Sequence, residues 1–233
     1  MKLSIVTSVL NVEKDIKQTL DSIIPCLSDD IEWVFVDGGS TDKTVQVVSK
    51  QFPHVHVVTG TNLYQGFNSG LDRAQGDYIL YLNAGDLFIP DRGLDLLLTS
   101  LGETDIYSFT AIFPDGTTFP PKDFNITPLR MPFSHQGCVI RRTLMNELGG
   151  FDPFIGPTAD HELILKCFLH VATHTSLPQV KLVQCFPAGA TEDFVGRTLN
   201  RWRNTRNVYK KYRPLEVSRI DTLYKELLLT GLQ

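Results

Sequence analysis

Four short stretches of this chain carry side chains able to move a proton, hold a cation or grip a polar ligand. They are Asp37-Gly38-Gly39-Ser40, Asn83-Ala84-Gly85-Asp86, His135-Gln136 and Asp160-His161-Glu162. An ionised carboxylate accepts hydrogen bonds, binds hard cations and takes a proton from a nearby hydroxyl. Asp37 stands beside a tight glycine turn, where a carboxylate can accept the N–H of a uracil-type base; a plain strand-end turn aspartate is the alternative. Thr7 and Asn11 either line the same pocket or only satisfy backbone groups. Asp160 opens an expected helix, whose N-terminus stabilises an ionised carboxylate. A helix N-cap is the plain alternative for both Asp160 and Asp86. His135 is either a ligand-orienting group or a structural histidine. His54, His56, His161, His170 and His174 show no metal-ligand spacing.

These residues need elements to bring them together. Leu3–Val9, Ile31–Val36, Val55–Thr59 and Tyr78–Leu82 are short apolar runs and read as buried strands. Between them, Ile16, Leu20, Ile23, Ile24 and Leu27, then Leu63, Phe67, Leu71 and Ala74, recur with helical spacing, and Leu94, Leu97, Leu98 and Leu101 follow. Ser40 is expected to cap the helix after the second strand, with Asp42 in its first turn. Strand–helix alternation implies a parallel sheet with right-handed crossovers, and such sheets bind ligands at the carboxyl ends of their strands. Thr7-Ser8, Asp37 and Asn83 to Asp86 all fall at that edge. From Asp105 to Arg130 the helical period is lost, and Ile106–Phe113 and Thr117–Phe119 read as strands around Asp115-Gly116. A strand entering a helix follows Phe133, Gly149-Gly150 breaks that helix, and the next places Leu163, Cys167 and His170 inward. The expected division is a domain over 1–190, in halves over 1–105 and 106–190, then a helical extension over 191–233.

Composition narrows the functional classes. The 233 residues carry 22 Lys and Arg against 26 Asp and Glu, a formal charge of −4, and the pI of about 5.8 disfavours a general nucleic-acid binder. No apolar run approaches the roughly 20 residues of a membrane-spanning helix, and the N-terminus lacks the pattern of a signal peptide. A cytoplasmic location is therefore expected, with Cys26, Cys138, Cys167 and Cys185 reduced. No G-x-G-x-x-G follows the first strand and no P-loop lysine motif is present, which disfavours dehydrogenase and P-loop readings. The tail from Arg197 to Arg213 holds seven cations and no acid. It reads either as a solvated face or as a surface for anionic lipid, with Trp202 and the tyrosines inserted or packed inward.

Val36-Asp37-Gly38-Gly39-Ser40-Thr41-Asp42-Lys43-Thr44 resembles the VD-x-GS-TD-x-T signature of family-two glycosyltransferases. Leu63 to Leu71 with Gly76-Asp77-Tyr78 is similar to the family's run before its metal motif, and Leu82-Asn83-Ala84-Gly85-Asp86 occupies the place of that motif. His135-Gln136, Gly150-Phe151-Asp152 and Ala159 to Leu163 continue the resemblance in order over about residues 1–190, most like the branch that builds bacterial surface polysaccharides. The resemblance implies an α/β GT-A fold, a Rossmann-like, mostly parallel central sheet flanked by helices with a C-terminal helical tail. It implies a nucleotide-binding half (1–105), an acceptor half (106–190) and inverting transfer of a sugar from a nucleotide-sugar, UDP-linked, to a growing surface polysaccharide or lipid-linked glycan. By position, Asp160 would be the general base and His135 would assist. Thr7, Asn11, Asp37, Asn68 and Asn83 would bind nucleotide, and Gln136 and Glu162 acceptor or donor sugar. Asp86 would hold Mn²⁺ or Mg²⁺, bound mainly with the nucleotide because Asn83 and Gly85 replace carboxylates. A lipid-linked acceptor would fit the second reading of the basic tail, peripheral contact with anionic membrane at its inner face. A nucleotidyltransferase, or a relative that binds without catalysis, are the alternatives.

Overall fold

The computed structural model describes residues 1–59, 61–90, 92–156, 158–186 and 194–230. In chain order the elements are β1 (Leu3–Val9), α1 (Ile16–Ile23), β2 (Ile31–Asp37), α2 (Thr44–Ser49), β3 (Val55–Val57), α3 (Leu63–Leu71), β4 (Tyr78–Tyr81), β5 (Leu87–Phe88) and α4 (Arg92–Ser100). Then come β6 (Ile106–Phe109), β7 (Ala111–Ile112), β8 (Thr118–Phe119), β9 (Cys138–Arg141), α5 (Arg142–Glu147), α6 (Ala159–Leu169), β10 (His174–Leu177), β11 (Val183–Gln184), α7 (Phe194–Tyr212) and α8 (Val217–Thr230). Among the described residues the main sheet has the order β10-β6-β9-β4-β1-β2-β3. It is parallel throughout except at β9, which runs antiparallel to both β4 and β6. The mostly parallel α/β sheet expected from the sequence is therefore present.

The one reversed strand decides where the site forms. Because β9 runs backwards between β4 and β6, its first residues lie at the sheet edge where those two strands, and β1 and β2 beyond β4, end. The 3₁₀ turn His135–Gly137 that feeds β9 is thereby delivered to the edge that carries Asp37 and Asp86. β9 also lies between β4 and β6, so the two halves of the domain share one sheet. A second sheet, β5-β11-β7-β8, sits beside the first. Its antiparallel β5–β11 pair aligns Leu87 with Gln184, which carries Cys185 and Phe186 up to Asp86.

Both faces of the sheet are covered. Leu3, Ile5, Ile16, Leu20, Phe35 and Leu97 belong to one core cluster, and Val6, Phe67, Leu71, Met145 and Leu163 to the other. Each fully buried aliphatic side chain contributes about 1.5–3 kcal/mol relative to exposure. Three local expectations are corrected. Ser40 does not cap a helix; α2 begins only at Thr44, and the Ser40 hydroxyl accepts the Asn11 N–H at 2.8 Å. Asp42 precedes the helix, accepting from the Thr44 N–H at 2.9 Å and its hydroxyl at 2.6 Å. His170 is exposed at the end of α6, beside Glu147, because the helix stops there and its ring lies past the buried stripe.

The tail is docked rather than free. α7 packs on α6 and α8, and Val208, Tyr209, Ile220 and Tyr224 form a third apolar cluster with Leu165. The Trp202 indole donates to Asp221 at 3.0 Å, and Arg206 grips both oxygens of the same carboxylate. Trp202 and Tyr209 are therefore packing residues. The side chains of Arg197, Leu199, Arg201 and Tyr212 lie outside the described residues. No described helix is long and apolar enough to cross a membrane.

Candidate active site

The site grows from strand ends. Asp37 closes β2 and has no exposed surface. Its Oδ2 accepts the Gly39 and Ser40 N–H groups at 3.0 and 2.8 Å, and Gly39 has a φ of 96°, the left-handed region that glycine adopts without strain. Asp37 Oδ1 is buried with no hydrogen-bond partner among the described residues. A buried orphan acceptor costs free energy unless a ligand donor meets it. Gly38 packs against Val9 and Thr61, and both line a cleft of about 350 Å³ together with Ser8, Asn62, Asn83 and Asp86. An added Cβ on Gly66 would fall 1.9 Å from the Ser8 hydroxyl, so α3 approaches this wall of the cleft only because that residue is glycine.

Asp86 is the second anchor and is 1% exposed. Its Oδ1 accepts the Phe186 N–H at 2.8 Å and its Oδ2 the Gln136 amide at 3.1 Å. Ser134 donates to the Gln136 carbonyl oxygen at 2.6 Å, which turns the amide NH₂ toward Asp86. Burial raises the Asp86 carboxyl above its ordinary range; the Phe186 N–H, Gln136 and the charge of His135 oppose this without cancelling it. Asp86 is not a helix cap, since β5 follows it directly.

α1 holds this turn from below. Thr19 accepts the Gly85 N–H at 2.9 Å and donates to the Asp86 carbonyl at 2.8 Å. Gln18 donates to the Gly85 carbonyl, and Ser22 accepts the Phe88 N–H at 3.0 Å. Sequence reasoning missed Thr19; its only mark was a hydroxyl inside the apolar stripe of α1. Thr19→Val keeps the shape and leaves two buried backbone groups unsatisfied. Its expected cost is about 1–3 kcal/mol, read as a lower midpoint in urea denaturation, with Thr19→Ser restoring most of the loss.

The third anchor is Asp160, at the start of α6. Its Oδ1 accepts the His161 N–H at 2.7 Å, and its Oδ2 lies 3.6 Å from His135 Nδ1. Burial pushes its carboxyl up, but His135 and the His161 N–H and ring outweigh burial, holding Asp160 below the usual carboxylate range. Its side chain keeps 25% exposure. Tyr64 lies close enough for the Asp160 charge, after burial, to help raise its phenol. The adjacent pair His135-Gln136 thus spans two carboxylates, one residue touching Asp160 and the next Asp86.

Other expected ligands make contacts within the framework. Thr7 has no exposed surface, and its hydroxyl accepts the Trp33 indole N–H at 3.0 Å. It lies beneath the cleft instead of lining it, because its side chain points to the Trp33 face of the sheet. Asn11, at φ 54°, is exposed; its Oδ1 accepts the Thr41 N–H at 2.8 Å and ties the 38–42 loop to the end of β1. Asn68 is spent on backbone as well. Its amide donates to the Phe151 carbonyl at 2.8 Å and accepts the Phe151 N–H at 2.9 Å. Glu162 faces away from Asp160, two residues further round the helix, and pairs with Lys166 at 3.3 Å. Asn62 was not anticipated. It caps α3 in a reciprocal capping box with Gln65 and binds the Pro153 carbonyl; the Asn-x-x-Gln spacing was the available signal.

Asn83 lines the cleft, and its Oδ1 is a second buried acceptor without a hydrogen bond among the described residues. No cluster of three or more His, Cys, Asp or Glu able to hold a metal occurs among the described residues. The all-oxygen pair of Asp86 and Asn83 fits a hard cation that takes the rest of its shell from phosphate and water.

Residues 4–154 match the family model described as Glycosyl transferase family 2. A PGL/p-HBAD biosynthesis glycosyltransferase of Mycobacterium bovis (strain BCG / Pasteur 1173P2) is 28% identical over 186 residues, covering 74% of this chain and 72% of that protein. An uncharacterized glycosyltransferase of Haemophilus influenzae is 30% identical over 96 residues, 39% of this chain and 38% of the relative. The crystal structure of S. aureus TarS 1-349 in complex with UDP-GlcNAc superimposes with a TM-score of 0.74 at 19% identity, over 98% of this chain and 72% of that one. The mannosyltransferase PcManGT from Pyrobaculum calidifontis, in complex with GDP-Man and Mn²⁺, gives 0.64 at 18% identity, over 96% and 69%. The chain spans 43% of the longer TarS structure. With the family model covering well over half of the residues and the fold shared with these GT-A enzymes, the chain belongs to glycosyl transferase family 2 and is a glycosyltransferase of GT-A architecture.

Proposed function

We propose that the chain moves a sugar from a UDP-sugar to a saccharide hydroxyl with inversion at the anomeric carbon. The observation that carries this is the His135-Gln136 bridge, which touches Asp160 on one side and Asp86 on the other, with the orphan oxygen of Asp37 next to Gly38, which packs on the cleft residues Val9 and Thr61. In this reading Asp37 Oδ1 accepts a base N–H, and the cleft walls at Ser8, Val9 and Asn62 enclose the nucleoside. Asp160, held ionised, takes the proton from the acceptor hydroxyl as the new oxygen–carbon bond forms and the anomeric carbon–phosphate oxygen bond breaks. His135 stays beside the carboxylate and holds its orientation. Asp86 and Asn83 would hold a divalent cation delivered with the nucleotide, which would offset the charge of the departing diphosphate.

The acceptor in this proposal is a growing surface polysaccharide or lipid-linked glycan. Arg203, Lys210 and Arg213 are exposed on α7 and just beyond it, where each cation can add about 1 kcal/mol of attraction to an anionic membrane. That supports peripheral contact at a cytoplasmic membrane face. The test is a thermal-shift screen of UDP, UDP-GlcNAc, UDP-glucose and GDP-mannose with and without Mn²⁺. Ligand at 100 times its Kd adds about 2.7 kcal/mol, roughly 5–10 °C in Tm for a chain of this size. A uridine nucleotide with Mn²⁺ is expected to give the largest rise; no rise with any nucleotide would remove the proposal.

A further inference from the structure

A second cavity, of about 520 Å³, lies behind the first turn of α6. Asp152, Phe154, Glu162 and Lys166 line it with Asn207 and Lys211 of α7. Only a short stretch of chain separates it from the cleft. Pro153 borders this cavity, and its carbonyl is held at 2.9 Å by Asn62, a cleft residue. Asp160 and Glu162 leave the same helical turn, one toward His135 and the other toward this cavity.

The lining is chemically selective. Lys166 is 7% exposed, and its ammonium is occupied by the Gly150 carbonyl at 2.6 Å, the Leu148 carbonyl at 3.3 Å and Glu162. It has little left for an outside anion. Glu162 is 6% exposed, and its Oε2 makes no hydrogen bond among the described residues; the Lys166 ammonium lies 3.3 Å away, the Lys211 charge also favours its ionised form and the Asp152 charge opposes it. A buried carboxylate in that state is short of donors. At the rim, Phe154 presents 85% of its surface to solvent, while an Asx turn through Asp152 fixes its backbone. A phosphate would face the Glu162 and Asp152 carboxylates, with Lys166 already occupied and Lys211 as the other lysine of the lining; a hydrocarbon would be set against a buried ion pair. A pyranose has hydroxyls to donate to Glu162 and Asp152, an acceptor for the Asn207 amide and an apolar face for the Phe154 ring.

We infer that this cavity is a subsite for a neutral sugar unit of the acceptor, remote from the reacting hydroxyl. The inference rests on the transferase reading above and adds that the acceptor is an oligosaccharide gripped at two places. Binding energy gathered there positions the reacting hydroxyl.

The test titrates the full chain with chitotetraose, maltotetraose and mannotetraose by saturation-transfer NMR. At least one tetrasaccharide is expected to bind, and Phe154→Ala and Asn207→Ala, both changes of exposed side chains, should each weaken it, Phe154→Ala by about tenfold. Pyrophosphate should not compete for the cavity. Absence of binding by all three, unchanged affinity in Phe154→Ala, or displacement by pyrophosphate would overturn the subsite. Hydrolysis of UDP-GlcNAc by the unaltered chain, measured in parallel, reports on the transferase reading alone, so the two failures are separable.

Discussion

Asp160→Asn is expected to lower sugar transfer by about 10²–10⁴-fold, the usual worth of a positioned general base, with UDP affinity unchanged in a calorimetric titration. The substitution keeps size and a hydrogen-bond acceptor for the His161 N–H, and removes the ability to take a proton together with the charge that faces His135. The pH dependence follows from the surroundings of this carboxyl. Burial alone would raise it, yet His135 and His161 hold it below the usual carboxylate range. The working form is the ionised one, so the acid limb of the rate profile lies below the ordinary carboxylate range. Removing His135 by His135→Ala leaves burial opposed by less charge, and the acid limb moves to higher pH. Stability has a matching sign. A carboxyl with a lowered folded pKa contributes stability above its unfolded pKa, and that contribution is lost as pH falls through the folded value. An Asp160→Asn chain that transfers at the full rate, or a product of retained configuration, would take Asp160 out of the mechanism.

Asp86→Asn has the second-largest expected effect. It should weaken UDP binding in the presence of Mn²⁺ on the order of 100-fold and leave metal-free UDP binding nearly as it was. The same change is expected to raise the Tm of the ligand-free chain at neutral pH. Asp86 is buried with its carboxyl pushed above the ordinary range. The folded chain therefore holds this proton more tightly than the unfolded chain, and stability falls as pH rises through the folded pKa. At neutral pH the ionised group is a net cost to folding, kept for what it binds. Asn retains an oxygen for the Phe186 N–H but brings an NH₂ toward Gln136, whose amide must rotate away from Ser134 to remain bonded. A variant with undiminished Mn²⁺-dependent affinity would show that the carboxylate is only a brace for Phe186 and Gln136.

Several parts of this molecule were readable without coordinates because they depend on neighbours in sequence. The β1 run Leu3–Val9 coincides with the observed strand, and Ile16, Leu20 and Ile23 form the buried stripe of α1, since a strand's buried run and a helix's spacing are local properties. Asp37, Asp86 and Asp160 could be singled out as carboxylates at element ends for the same reason. Their surroundings could not. Gln136 reaches Asp86 across 50 residues and Phe186 reaches it across 100, and both contacts exist only because β9 reverses direction and β11 pairs with β5. Nothing in the four residues of β9 announces that reversal, which appears only in its pairing with β4 and β6. Thr7 and Asn68, expected as nucleotide ligands, are polar residues near the site whose partners are Trp33 and the Phe151 backbone. Residue type sets which bonds a side chain can make, and packing of distant segments decides which of them it makes.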